Sequence, residues 1–402
     1  MHEAVAVAKG IYWVGVNDHE TDLFEAYWPL PRGVSYNSYL VVGDEALLVD
    51  TVKSSFFGEL MDKVRSVLGG RPLSYVVVNH MEPDHSGSAR MLKALYPGLK
   101  FVGNSKTLEM LKSFYGLGER DVLVVKDGDR LDLGGGHALS FHTIPMVHWP
   151  ETMATYHEGE GVLFSCDAFG GFGCLDGGIF DDEVDMEYYE DEILRYFSNI
   201  VGRYSKPVKA AIEKLSSLRI RVVAPSHGPI HRRRPNSIVE RYLRWSEHRT
   251  ECGAVVVYGS MYGNTRKAAE AVARTLAEEG IERIVVHDAS RVHSSFVVKD
   301  IWRFKALVLA SCTYNAEIFP PVRELLGHLA NKKMEGRLLG LVGCYTWSPG
   351  IVSQMKEVLT KSGSWELVEP SFEFKSSPSA EDLDRCREMG RRMAQLLKAC
   401  QY

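Results

Sequence analysis

The chain has 402 residues, 45% of them hydrophobic and 25% charged, with a net charge of −5. That is the balance of a soluble protein of two or three domains, and it excludes a bulk basic field for nucleic acid. The first residues lack the apolar core of a signal peptide, and no run reaches the ~18 apolar residues of a membrane span, so a cytoplasmic protein is expected. Seven cysteines, at 166, 174, 252, 312, 344, 386 and 400, form no C-x-x-C pair. They read as reduced core thiols and argue against an iron–sulfur cluster or a rubredoxin-type iron site of four cysteines within the chain.

Residues 35–51 (SYNSYLVVGDEALLVDT) predict two strands around a Gly-Asp turn. Residues 73–80 (LSYVVVNH) predict a buried strand, and 88–97 a helix that stops at Pro97. A short strand follows at 100–104. Residues 121–144 form a meander broken by Asp-Gly and Gly-Gly-Gly, and 154–170 repeat that form. Amphipathic helices are expected at 191–204 and 207–218, and a last strand within 220–229. Residues 238–251 read as a helix and hinge. Beyond them strands and helices alternate: five βα units, a doubly wound parallel sheet. The expected domains are 1–251 and 252–402.

Three of the N-terminal strands, at 73–80, 162–166 and 220–224, run directly into residues of metal-binding type. Strand ends are where a rigid sheet gathers functional loops. The stretch NHMEPDH supplies His80, Glu82, Asp84 and His85. His148 (MVHWPET), Asp167 (SCDAFGG) and His227 (PSHGP) complete four imidazoles and three carboxylates. Period-two spacing places His80 and Glu82 on one side of an extended loop, leaving Asp84 and His85 for a second point. Asp167 can bridge with one oxygen each way. The other reading makes Asp84 a cap for the following helix. Three buried acids, however, need compensating charge, which metal ions supply.

In the C-terminal half, YGSMYGNT follows a strand and opens a helix, so Ser260, Met261, Tyr262, Gly263, Asn264 and Thr265 form an anion cradle. Without the G-K-[ST] of a nucleotide loop, it suits a terminal phosphomonoester such as that of FMN. Thr313, Tyr314 and Asn315 after one strand, and Cys344, Tyr345, Thr346, Trp347 and Ser348 after another, fall on the same sheet edge, where aromatic faces can sandwich a flat ring. A doubly wound domain with no cofactor is the alternative.

The first constellation resembles the metallo-β-lactamase superfamily, an αββα sandwich with an H-x-H-x-D-H motif, except that Glu82 replaces the middle histidine. A hard oxygen donor there favours iron over zinc. The second resembles flavodoxin. Together they are similar, over residues 1–402, to the flavodiiron proteins. That resemblance implies an iron held by His80, Glu82 and His148, a second held by Asp84, His85 and His227, and Asp167 between them. In some members a water displaces the equivalent of His85. It implies reduction of dioxygen to water, of nitric oxide to nitrous oxide, or both, with FMN refilling the diiron centre. It also implies a head-to-tail homodimer or a dimer of dimers. With the chain ending at Tyr402, an external donor is expected, either rubredoxin or a reduced deazaflavin. Tyr196 is a candidate proton donor beside the metals. Glu25 stands where many members carry a histidine, which leaves the choice of gas open. The basic run HRRRP (231–235) either docks an acidic donor or is a solvated turn. Two other functions compete: a di-zinc hydrolase with a flavodoxin-like accessory domain, and a flavin electron carrier with a structural metal.

Overall fold

The computed structural model describes residues 3–399. The chain divides between Ser246 and Glu247 into two compact units. This lies a few residues before the sequence-based boundary, because helix Pro235–Ser246 closes the first unit and strand Glu251–Gly259 already belongs to the second. Cys400 lies outside the described residues; the other six cysteines are free. No described helix is long and apolar enough to cross a membrane.

The first unit is a sandwich of two sheets flanked by helices. One sheet has seven strands, from Val5–Ala8 through Tyr75–Val77 to Lys100–Gly103 and Val122–Val124. The other has five, ending in the parallel pair Val162–Cys166 and Val222–Pro225. The strand Ala46–Val49 is buried at every position because both of its faces are covered. The sheets are joined through side chains. The Tyr39 ring meets Phe164 across the gap at 5.1 Å, and its hydroxyl donates to the Pro225 carbonyl at 2.6 Å.

The second unit is a parallel sheet in the order Ile284–Asp288, Glu251–Gly259, Phe304–Tyr314, Arg337–Tyr345, then Trp365–Leu367 and Phe372–Lys375. Register pairs Gly259 with Ser311 and Ser311 with Gly343, so three consecutive strands end level with one another. The loops that follow them are therefore neighbours on one edge, as a doubly wound sheet requires. Helices Asn264–Glu278 and Ala380–Ala399 pack on one face around a core that includes Val272, Leu276, Met389 and Met393.

Candidate metal centre and flavin cradle

The loop after strand Tyr75–Val77 is fixed before it reaches the first ligand-type residue. Asp50 accepts from Asn79 N (2.7 Å) and Nδ2 (3.2 Å), and Thr155 donates to Asn79 Oδ1 at 2.7 Å. The chain then does not continue as an extended loop. Pro83 starts a helical turn, Pro83–Ser86, preceded by extended Glu82. Glu82 therefore leaves on one side and Asp84 and His85 on the other, and the sorting comes from that turn, not from period-two spacing. Asp84 makes no helix cap: the helix Ala89–Leu95 begins after Ser88 and has no side-chain cap.

The seven residues converge as two groups that share Asp167. In the first, His80 Nε2 lies 3.3 Å from Glu82 Oε2 and 3.3 Å from Asp167 Oδ2, and His148 Nε2 lies 3.2 Å from each of the same two oxygens. In the second, His85 Nε2 lies 3.4 Å from Asp84 Oδ1 and 3.0 Å from Asp167 Oδ1. His227 Nε2 lies 3.3 Å from Asp84 Oδ2 and 3.6 Å from Asp167 Oδ1. Each group thus receives its own oxygen of Asp167. Every one of these atoms is buried without a hydrogen bond of acceptable geometry. Buried polar atoms are rarely left so, and here they all face inward to two points. Donors about 2.1 Å from a cation stand about 3.0–3.4 Å apart on a tetrahedron or octahedron, which is the spacing of every pair above except His227–Asp167 at 3.6 Å. The residues present fit a metal pair.

The electrostatics point the same way. Burial opposes charge on the imidazoles, yet Asp167 and Glu151 push His80 up to about 9, and Asp84 and Asp167 push His85 up to about 10. His148 rises well above its ordinary range between Asp167 and Glu82. Burial would raise Asp167, but His85 and His80 hold it well below the usual carboxylate range. Protons on the rings and cations between them are alternative ways to balance the same carboxylates.

Several supporting residues carry no sequence signal of their own. Glu151, 1% exposed, accepts from Met81 N–H at 2.9 Å and from His80 Nδ1 at 2.7 Å. That leaves His80 Nε2 free to face inward. Glu151 shares the short MVHWPET segment with His148, which is the one clue that could have found it. His227 Nδ1 meets the Ser35 carbonyl at 2.7 Å, and Asn37 Nδ2 donates to the carbonyls of Pro225 and Gly228, both at 2.9 Å. The Tyr196 hydroxyl is buried without a partner, and its ring lies 5.7 Å from that of His227. Glu25 is exposed overall, but its carboxyl accepts from Trp28 Nε1 at 2.9 Å and turns toward Glu82. Lost water and the Glu82 charge push it up to about 7.

In the second unit, Gly263, at φ 91°, turns the chain into helix Asn264–Glu278 and donates to Ser260 Oγ at 3.0 Å. Thr265, 1% exposed, buries its hydroxyl at this helix start beside the thiols of Cys312 and Cys344. Asn315 and Ala316, both at positive φ, form a two-residue turn between Tyr314 and Glu317. Glu373 accepts from Gly350 N and Val352 N at 2.7 Å, fixing the loop that carries Tyr345, Thr346, Trp347 and Ser348. Tyr262 is 89% and Trp347 77% exposed, unusual for large rings unless something stacks on them. A helix N-terminus opened by Gly263 and Ser260, with exposed aromatics on the same sheet edge, fits a phosphorylated flat ring. Thr313 is half-buried between these loops. Cys344 differs: its thiol packs in the core and donates to the Ser376 carbonyl at 3.3 Å, so only its backbone can reach the cradle.

Comparison with known proteins gives the same division. Residues 34–228 match the ODP family beta lactamase model and residues 256–390 the flavodoxin model. A nitric oxide reductase of Moorella thermoacetica is 34% identical over 398 residues, covering 98% of this chain and 99% of that one. An anaerobic nitric oxide reductase flavorubredoxin of Vibrio vulnificus is 31% identical over 396 residues, covering 98% of this chain and 80% of the relative. The solved rubredoxin oxygen:oxidoreductase from Desulfovibrio gigas superposes with a TM-score of 0.94 at 28% identity, covering 98% and 99%. The flavodiiron protein from Giardia intestinalis superposes with a TM-score of 0.93 at 27% identity, covering 98% and 97%.

Proposed function

The chain belongs to the flavodiiron proteins, and from that premise we propose that it is an oxidoreductase that reduces nitric oxide to nitrous oxide, dioxygen to water, or both, with two irons and FMN as its cofactors. His80, Glu82 and His148 would hold one iron, Asp84, His85 and His227 the other, with Asp167 bridging. Residues 260–265, 313–315 and 344–348 would hold FMN. When bound, the iron pair supplies Lewis acidity and electrons to the gas, and the flavin resupplies those electrons.

The observation that carries this reading is the division of Asp167: Oδ2 faces His80 and His148, and Oδ1 faces His85 and His227. A single-metal or purely structural site has no use for that split. Glu151 keeps the His80 proton on Nδ1, and the Ser35 carbonyl does the same for His227. Tyr196, whose buried hydroxyl has no partner and whose ring lies 5.7 Å from that of His227, would be the proton donor beside the cluster. Two nitric oxide molecules need two electrons and two protons; dioxygen to two waters needs four of each. Electrons come from an external donor, a rubredoxin or a reduced deazaflavin, and a head-to-tail homodimer in the cytoplasm is the proposed working form.

The test is anaerobic stopped-flow of the chemically reduced, iron- and FMN-loaded chain against each gas. Prompt flavin reoxidation by nitric oxide, dioxygen or both is expected. No reoxidation by either gas refutes the proposal. Protein that takes up zinc in place of iron and hydrolyses an ester or phosphodiester would support the hydrolase instead.

A further inference from the structure

The basic run that starts at His231 is left without a role by gas reduction. It walls a cavity of about 360 Å³ between the start of helix Pro235–Ser246 and residues of the 181–193 segment. The carboxylates there are already matched. Asp181 accepts from the backbone N–H of Arg232 and Arg233 at 3.0 Å and of Arg234 at 3.2 Å. Asp182 and Glu183 pair with Arg232 at 2.9 Å, and Glu190 pairs with Arg241. Arg233 and Arg234 remain on the wall, and among the described residues neither guanidinium has a partner. His231 lines the same cavity, is 3% exposed, and has a buried Nε2 with no hydrogen-bond partner. Ser237 adds a hydroxyl to the wall.

We propose that this cavity binds a small phosphate-type dianion, free phosphate or a phosphomonoester, through Arg233 and Arg234 with His231 Nε2 as an inner hydrogen-bond partner. Guanidinium forks match phosphate oxygens in geometry and charge. A buried imidazole nitrogen needs a partner, and a phosphate oxygen, which can carry a proton, serves it in either tautomer. An acidic protein docking on this face would meet the arginines at the rim and leave His231 unmatched. The helix start adds a favourable dipole, though Asp181 already uses part of it.

The test is calorimetric titration of the flavin-loaded full chain, with its cradle at Ser260–Thr265 filled, using inorganic phosphate, glycerol phosphate and sulfate. One phosphate-type anion should bind per chain. Arg233→Ala with Arg234→Ala should weaken it about tenfold or more, since two charge-assisted contacts are lost. His231→Leu, which leaves neither a donor nor an acceptor facing the anion, should weaken phosphate binding further. The tighter of phosphate and glycerol phosphate identifies the source. No heat at millimolar anion, or binding unchanged in the arginine variant, means an adventitious ion only and overturns the site. Arginine-dependent capture of an acidic protein without any phosphate binding overturns it too. The arginines are exposed, so their variant folds even if His231→Leu does not.

Discussion

Replacing Glu151 is the most direct way to test how the inward-facing His80 imidazole is held. Its Oε1 takes both the His80 ring and the Met81 N–H, while its Oε2 is buried with no partner. Glu151→Gln keeps an oxygen for both donors but removes the charge and buries an unmatched N–H. Glu151→Ala removes both bonds and frees the His80 ring to turn. Outer hydrogen-bond partners of metal-bound histidines contribute about 10- to 100-fold in affinity, roughly 1.4–2.7 kcal/mol. Glu151→Gln should fall at the lower end and Glu151→Ala at the upper. The assay is anaerobic Fe(II) titration against a competing chelator. It should show one weakened equivalent, because His85 and His227 do not touch Glu151, while the second equivalent keeps its affinity. Thermal unfolding without added iron separates this from general damage. Two unchanged equivalents in Glu151→Ala would refute the positioning role.

Glu82→His should raise the zinc content of the isolated protein relative to iron and slow gas reduction, as metal analysis and stopped-flow will show. Unchanged iron and rate would mean the oxygen donor is not what selects iron. Thr265→Val, which removes the hydroxyl at the helix start, should weaken FMN by roughly tenfold in a fluorescence titration, at about 1–2 kcal/mol per lost bond, with the fold intact by circular dichroism. Burial pushes His231 down to about 4, below the ~6.5 of an unfolded histidine. The unfolded chain therefore binds the extra proton first, and stability falls as pH drops from about 6.5 through 4, by roughly 3 kcal/mol in all. Melting temperature against pH should fall more steeply in the wild type than in His231→Gln; parallel curves would contradict a buried neutral ring.

The seven cluster residues were legible because ligand-type side chains at strand ends stand out against apolar strands. Their sorting was only partly legible. Pro83 turns a stretch that reads as an extended loop into a helical turn, and a proline after an acid fits either. Glu151, Asn79, Asp50, Ser35 and Asn37 are not legible for a different reason: each acts through hydrogen bonds to residues distant in sequence, and no periodicity marks them. Helix Ser294–Arg303 is equally hard to read, since its Phe-Val-Val run looks like strand until packing fixes it. Cys344 falls with the cradle in the sequence because it precedes Tyr345, but strand alternation turns its thiol to the core.

Asn79 has a consequence for how this half of the molecule comes apart. It holds Asp50 of one sheet, takes a hydrogen bond from Thr155 of the other, and its carbonyl accepts from Met153 N at 2.9 Å. The two sheets cannot slide past each other without pulling on the residue next to His80. Shear of the sandwich and loss of the cluster are therefore one mechanical event, and whatever grips the cluster also bolts the layers together.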